Sequence, residues 1–364
     1  MPDNPSRPDL PARPGPQPVS PPASRHDWER PGAFEVAPGV HRIPLPLPND
    51  GLRAVNVYAI EDGAGLVLID SGWALEESRR LLEAALAGLG HDLGDISQFL
   101  VTHAHRDHYT QALVVRRLLG SRVALGTGEA PVLAEIRANI GRFPPLMLAR
   151  LQAAGAGDLA RQLVSAAGPD EATQPSDWED PDEWLPDGTD IVLAGRTLRA
   201  IATPGHTRGH LVFHDAQAGL LFAGDHVLPH ITPSIGFEPL PADRPLANYL
   251  TSLAAVEALA DAVLLPAHGP VAPSARARAG ELVEHHRKRL DAMLAAVGPG
   301  ASTAFEVAGQ VGWTSRERAL ADLDVFNQML AVNETIAHLD VLADRGALGV
   351  ETSGGVRHYR TGGS

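Results

Sequence analysis

Thr102-His103-Ala104-His105-Arg106-Asp107-His108 decides the reading of this 364-residue chain. The apolar run Phe99–Thr102 reads as a short buried strand that delivers the chain into His103, and Thr110–Leu119 resumes with helical spacing. The motif therefore occupies a strand-to-helix loop, with three imidazoles and one carboxylate on it. Neutral imidazole and carboxylate suit a borderline divalent ion, at bond lengths of about 2.0–2.2 Å. The same arrangement recurs downstream. His206 follows the strand Leu198–Ala202, Asp225 follows Leu220–Ala223, and His268 follows Ala262–Leu265. Loops at strand ends are where a rigid scaffold holds functional side chains. His103, His105, Asp107, His108, His206, Asp225 and His268 are together enough donors for two metal ions. Asp70, at the end of Leu66–Ile69, has two readings: it accepts a hydrogen bond from a ligand histidine and fixes its tautomer, or it caps the turn into the next helix.

Working outward, Val40–Ile43, Val55–Ile60 and Leu66–Ile69 read as strands, the last two forming a hairpin across Glu61–Gly65. Trp73–Leu89, Glu129–Gly141, Leu146–Ala167 and Leu246–Leu259 read as helices. Further strands are expected at Arg122–Leu125, Asp190–Leu193 and Gly209–Asp215. Residues 1–32 hold ten prolines and read as a mobile tail. Residues 33–274 form the expected catalytic domain, with a helical and acidic insertion at 127–190. Within it, Pro169–Asp190 carries nine acidic residues and no Lys or Arg. It reads as a solvated loop, or as a lid if Trp178 and Trp184 are buried. From Ala275 the pattern is helical, over Ala275–Val297, Thr303–Val311 and Val325–Arg345, and a Gly-rich ribbon closes the chain over Leu348–Arg360. That outline, 275–364, is winged-helix-like.

Composition excludes several classes. There are no cysteines, hence no disulfide, thiolate ligand or cysteine nucleophile. A formal charge of −14 speaks against a protein built to hold nucleic acid by its phosphates. No run approaches the ~20 apolar residues of a membrane helix. The N-terminal stretch lacks the apolar centre of a signal peptide, so a cytoplasmic location is expected.

Asp70-Ser-Gly, His103-x-His105-x-Asp107-His108, His206, Asp225 and His268, in that order, resemble the metallo-β-lactamase fold superfamily over roughly Phe34–Ser274. The likeness is nearest to its glyoxalase II-like, hydroxyacylglutathione-hydrolase-like branch, and the added C-terminal module resembles the lactamase-β-like-2 group. The resemblance implies an α/β fold, an αββα sandwich of two mixed sheets with helices outside, followed by a small helical winged-helix domain. It assigns His103, His105 and His206 to one ion and Asp107, His108 and His268 to the other, with Asp225 bridging. Zinc is the expected ion, with iron or manganese as alternatives. A hydroxide bridging two ions would attack an electrophilic carbonyl or phosphorus, and Asp107 would orient it.

Three functions of different class follow. The first is a hydrolase of small or carrier-bound acyl compounds, thioester or lactone-like. The second is a metal-dependent endoribonuclease. The third is a ligand-sensing regulator whose winged helix reads DNA. A sulfur-oxidising mononuclear iron enzyme shares part of the motif set. Charge separates them: residues 290–364 hold five Arg and nine Asp or Glu, whereas a nucleic-acid reader needs Lys and Arg along its docking helix and wing. Nucleic acid is therefore not the expected partner, and the module reads as a packing or homodimer unit bordering the cleft. Among single residues, His210 and His230 read as pocket or packing histidines and Tyr109 as a packing residue. His285–Arg289, with the chain's one lysine, reads as a solvated helix face or as a contact for an anionic handle such as a phosphopantetheine arm.

Overall fold

Alternation along the strands sets the layers. In β3 (Ala54–Asp62), Tyr58 and Ile60 enter one apolar cluster while Val55, Val57 and Ala59 enter another. In β11 (Leu220–Gly224), Leu220 and Phe222 share the first cluster, and Leu221 and Ala223 turn away from it. Successive side chains on a strand point to opposite faces, so two sheets with apolar residues on both faces must lie together with further layers outside. The computed structural model describes residues 26–48, 51–166, 175–298, 300–314 and 316–362. Most of the expected proline-rich tail and part of the expected acidic segment, residues 167–174, lie outside the described residues.

The first sheet has the order β1 (Phe34–Ala37), β2 (Val40–Pro46), β3, β4 (Gly65–Ile69), β5 (Ile96–Val101), β6 (Arg122–Gly126) and β7 (Glu183–Leu185). It is antiparallel as far as β4 and parallel from there on. The second runs β12 (Val263–Pro266), β11, β10 (Leu211–Asp215), β9 (Thr197–Ala202) and β8 (Asp190–Val192), parallel only between β11 and β12. Between the sheets pack Tyr58, Ile60, Leu100, Phe213, Phe222 and Leu265, with the rings of Tyr58 and Phe222 meeting edge-on at 5.4 Å. Helices α1 (Glu76–Leu89), α2 (Arg106–Leu119) and α3 (Ala130–Ala138) cover the outer face of the first sheet through Leu82, Leu86, Leu113 and Leu133. The expected αββα sandwich is the observed architecture.

Over the second sheet lie α4 (Pro145–Ala153), α5 (Gly157–Ala166), α6 (Pro245–Ala258), α7 (Ala275–Ala296), α8 (Ala304–Ala308) and α9 (Val325–Asp344). The hairpin of β13 (Leu348–Ser353) and β14 (Val356–Thr361) closes them. One apolar cluster runs unbroken from Val212 and Leu221 on the sheet through Tyr249, Leu282 and Ile336 to Tyr359. The single helix expected over Leu146–Ala167 is two, α4 and α5. Gly155 separates them at φ 81°, and a Cβ there would stand 3.0 Å from Thr303. No helix among the described residues is long and apolar enough to cross a membrane.

The described part of the acidic run is docked, not free. Glu179 pairs with Arg116 at 2.6 Å, Asp180 with Arg137 at 2.8 Å and Glu183 with Arg122 at 3.3 Å. Tyr109 donates its hydroxyl to the carbonyl of Glu179, and Trp184 pairs with Leu125 as β7 extends the sheet. Trp178 is buried in the cluster under α2 and α3. Trp178→Ala should therefore lower the free energy of unfolding by about 3–5 kcal/mol, read by urea denaturation, with the metal content of the folded protein unchanged.

Candidate metal centre

Every residue singled out for metal chemistry stands just beyond a strand, and the two sheets aim those strand ends at one place. Asp70 follows β4, His103 and His105 lie on the loop after β5, Asp107 and His108 lie in the first turn of α2, which begins at Arg106 and so before the expected Thr110, His206 follows β9, Asp225 follows β11 and His268 follows β12. The donor atoms of His103, His105, His206 and Asp225 lie within 4.8 Å of one another, and those of Asp107, His108 and His268 form a second group of the same kind. His105 Nδ1 is 2.9 Å from His103 Nε2 and 3.2 Å from His206 Nε2. Asp225 faces both groups: Oδ2 is 3.5 Å from His206 Nε2, while Oδ1 is 3.3 Å from His268 Nε2 and 3.7 Å from His108 Nε2. Asp107 Oδ2 completes the second group, 3.4 Å from His108 Nε2 and 3.5 Å from His268 Nε2.

The outer ring nitrogens are occupied. His108 Nδ1 donates to Asp70 at 2.8 Å, His206 Nδ1 to the carbonyl of Ser234 at 2.8 Å and His268 Nδ1 to the carbonyl of Ala54 at 2.7 Å. His103 Nδ1 lies 3.0 Å from the Thr102 hydroxyl. Such bonds place the proton on the outer nitrogen and turn the Nε2 lone pair inward. The inward atoms form an incomplete set. His108 Nε2, His268 Nε2 and Asp225 Oδ1 are buried without a hydrogen-bond partner among the described residues, an arrangement that costs free energy unless a cation accepts those lone pairs. The donor set fits divalent ions. Burial, then the neighbouring imidazoles, push His103 well below its usual range, and burial with His206 pushes His105 down to about 3, so both stay neutral donors.

Asp70 is held in the left-handed region at φ 60°, where its carboxylate also accepts from the backbone N–H of Thr102 at 2.8 Å. It does not cap α1, whose N-cap is Leu75. His210 is fully buried and accepts from the backbone N–H of Asp225 at 3.2 Å, so it positions that loop. This contact depends on Gly224, where a Cβ would stand 2.7 Å from His210 Nε2. His230 is exposed.

Two buried carboxyls of the site are not evident from the sequence. Glu129 bonds Thr207 through its side chain and also accepts from the backbone N–H groups of Gly209 and Ala104. One group thus ties the His206 loop to the His103–His105 loop. Burial pushes it up to about 8, so it is mostly a neutral acid at pH 7. Glu238 accepts from the backbone N–H of Arg208 at 2.8 Å, and burial pushes it up to about 7. Glu129 carries the same signal as the ligands, a carboxyl just past the strand β6, but the helical spacing of Glu129–Gly141 masks it.

Comparison with known proteins agrees with this geometry. Residues 50–268 match the family model described as Metallo-beta-lactamase superfamily. The chain belongs to that superfamily. It is 26% identical over 327 residues to Probable metallo-hydrolase YqjP of Bacillus subtilis (strain 168), covering 88% of this chain and 96% of that protein. It is 27% identical over 224 residues to the Atrochrysone carboxyl ACP thioesterase of Aspergillus fumigatus, covering 62% of this chain and 39% of that protein. The chain thus spans about two fifths of that thioesterase's length. The crystal structure of a metallo-beta-lactamase family protein from Thermus thermophilus superposes with a TM-score of 0.68 at 30% identity, covering 90% of this chain and 100% of that one.

If Glu129 ties the two loops as a neutral acid, Glu129→Gln should keep metal affinity near that of the wild type. Glu129→Ala should weaken it about 10–100-fold, as measured by competition with a chromogenic chelator.

Proposed function

We propose that the chain is a dinuclear metal-dependent hydrolase acting on a thioester or a related acyl, lactone-like compound. The observation that carries the reading is Asp225, whose two oxygens face the two donor groups separately while buried unpartnered atoms point between them. His103, His105 and His206 would hold one ion, Asp107, His108 and His268 the other, with Asp225 shared. Zinc is the ion best suited to imidazole and carboxylate donors. Bound there, such ions would make water a nucleophile near neutral pH and offset negative charge on a carbonyl oxygen.

The remaining steps belong to the protein. Asp70 keeps the proton of His108 on Nδ1, and Thr102 does the same for His103. Asp107, less buried than the histidines behind it, accepts a hydrogen bond from the attacking water and sets its direction. As the water oxygen joins the acyl carbon the carbon–sulfur bond breaks, and the thiol leaves with a proton. The acyl group has an apolar wall to lie against. Phe237 stands 6.1 Å from His105 between ring centroids, and Phe326 of α9 stacks edge-on to Phe237 at 5.4 Å. The helical C-terminal module therefore contributes to the cleft.

An RNA path finds less support. On the closing ribbon Arg357 is paired with Asp340 at 2.6 Å and Arg360 with Glu351 at 3.1 Å, which leaves no free basic strip there. The acyl reading also agrees with the name of the ACP thioesterase relative. The cytoplasmic location expected from the sequence remains part of the proposal.

Purified protein should hold about two equivalents of metal, read by elemental analysis. Asp225→Ala should lower both occupancy and turnover, and full metal content with near-normal activity in that variant would sink the assignment. His268→Ala should lose its second ion at lower chelator concentration than its first, because His103, His105 and His206 remain. Across a panel of thioesters, lactones, β-lactams and single-stranded RNA, thioester cleavage should dominate. RNA cleavage that is faster, metal-dependent and abolished by Asp107→Ala would reverse the ranking.

A further inference from the structure

The connection between β11 and α6 carries five consecutive residues, 234–238, that are held by different parts of the fold. The carbonyl of Ser234 accepts from His206 Nδ1 at 2.8 Å. Ile235 is buried in the apolar cluster that includes Val332 and Ile336 of α9. Gly236 sits at φ 84°, and a Cβ there would stand 3.4 Å from the carbonyl oxygen of Asn333 on α9 and 3.7 Å from its Cβ. Phe237 has His105 at 6.1 Å and Phe326 of α9 at 5.4 Å, measured between ring centroids. Glu238 accepts from the backbone N–H of Arg208, two residues past His206, at 2.8 Å. One short stretch thus touches the loops of His105 and His206 and also the C-terminal helix α9.

The rest of the connection is fixed on both sides of this stretch. Arg278 of α7 donates to the carbonyls of Leu228 at 2.7 Å and Ile231 at 3.1 Å, and Arg208 to those of Leu240 and Pro241 at 2.9 Å each. The basic run farther along α7 is engaged within the fold, Arg287 with Glu284 and Asp291 and Arg289 with the carbonyl of Gly312.

The two donor groups differ in what stands behind them. His108 is oriented by Asp70 after β4, His268 by the carbonyl of Ala54 in β3, and His103 by Thr102 after β5, all parts of the first sheet. Of the outer nitrogens held in this way, that of His206 alone is held by residues that pack against α9.

We infer that residues 234–238 are a positioning strap through which the C-terminal module orients His206, and that the module thereby sets the affinity of the first ion and not of the second. Gly236 is the positioning residue. Its left-handed backbone and missing side chain let the strap lie close on α9, and that seat places the Ser234 carbonyl two residues away. A side chain at 236 would be strained at this φ and would press on the backbone of Asn333, so the carbonyl would leave the place that His206 requires. The assignment rests on the dinuclear reading proposed above.

Two parent chains separate the ions. His268→Ala keeps the group of His103, His105 and His206, and His206→Ala keeps that of Asp107, His108 and His268. Zinc affinity is measured in each full-length chain by chelator competition, with and without Gly236→Val. In the His268→Ala chain the valine should weaken zinc about tenfold or more, the scale on which partners that orient a ligand act. In the His206→Ala chain the change should stay within about twofold, because sites without a shared partner act independently. A merely structural role would lower both affinities alike. Equal loss in both chains, or loss in neither, overturns the inference. If the valine variant does not fold, Gly236→Ala carries the same test with a several-fold shift expected. Parent chains that do not each hold one zinc remove the dinuclear reading and the strap with it. Parents that do, combined with a glycine variant that treats them alike, remove the strap alone.

Discussion

The hydrogen bond between Asp70 and His108 sets the limits within which the rest of the centre is arranged. It joins two buried groups, one at the end of β4 and one on α2, and the same carboxylate holds the backbone of Thr102. The ends of β4 and β5 and the first turn of α2 are thereby locked around a single side chain. The second sheet answers with His210, which holds the backbone of Asp225 and stacks on His103 at 5.0 Å. Each sheet thus supplies its own orienting group, and the donors meet because the sheets are pressed together by Tyr58, Phe213, Phe222 and Leu265. The packing of the middle layer and the geometry of the centre are one constraint, since a slip of either sheet would separate Asp225 and His268, carried by the second sheet, from Asp107 and His108 beyond the first.

Much of this was legible in the sequence. The candidate donors at positions 103, 105, 107, 108, 206, 225 and 268 follow four recognisable strands and gather in two groups, and alternation within the strands forced two sheets with covered outer faces. What escaped depended on partners distant in sequence. The acids at 179, 180 and 183 read as a solvated run because Arg116, Arg122 and Arg137, which neutralise them, lie on earlier elements. The break between α4 and α5 was hidden because alanines flank Gly155, and the close approach of Thr303 is invisible to local spacing.

The C-terminal module changes what the cleft can be. Phe326 of α9 meets Phe237 edge-on, and Asp340 of the same helix pairs with Arg357 of the closing hairpin. Because the apolar cluster is continuous from the second sheet to Tyr359, these residues are carried on a packed body and not on a tether. A change that loosens α9 would disturb the aromatic wall beside His105 without touching a candidate metal donor.

The short strand β7 has a consequence for how the molecule behaves in a crowded solution. Among the described residues it has one strand partner, β6, and so it ends the larger sheet. A foreign strand that added there would extend the sheet from molecule to molecule. Pro181 and Pro186 bracket those three residues, while Asp182 and Glu183 pair with Arg116 and Arg122 on earlier elements. Proline withholds the N–H that a new strand would need. The stretch that seats Trp178 in the core thus also shortens the edge that a foreign strand could use.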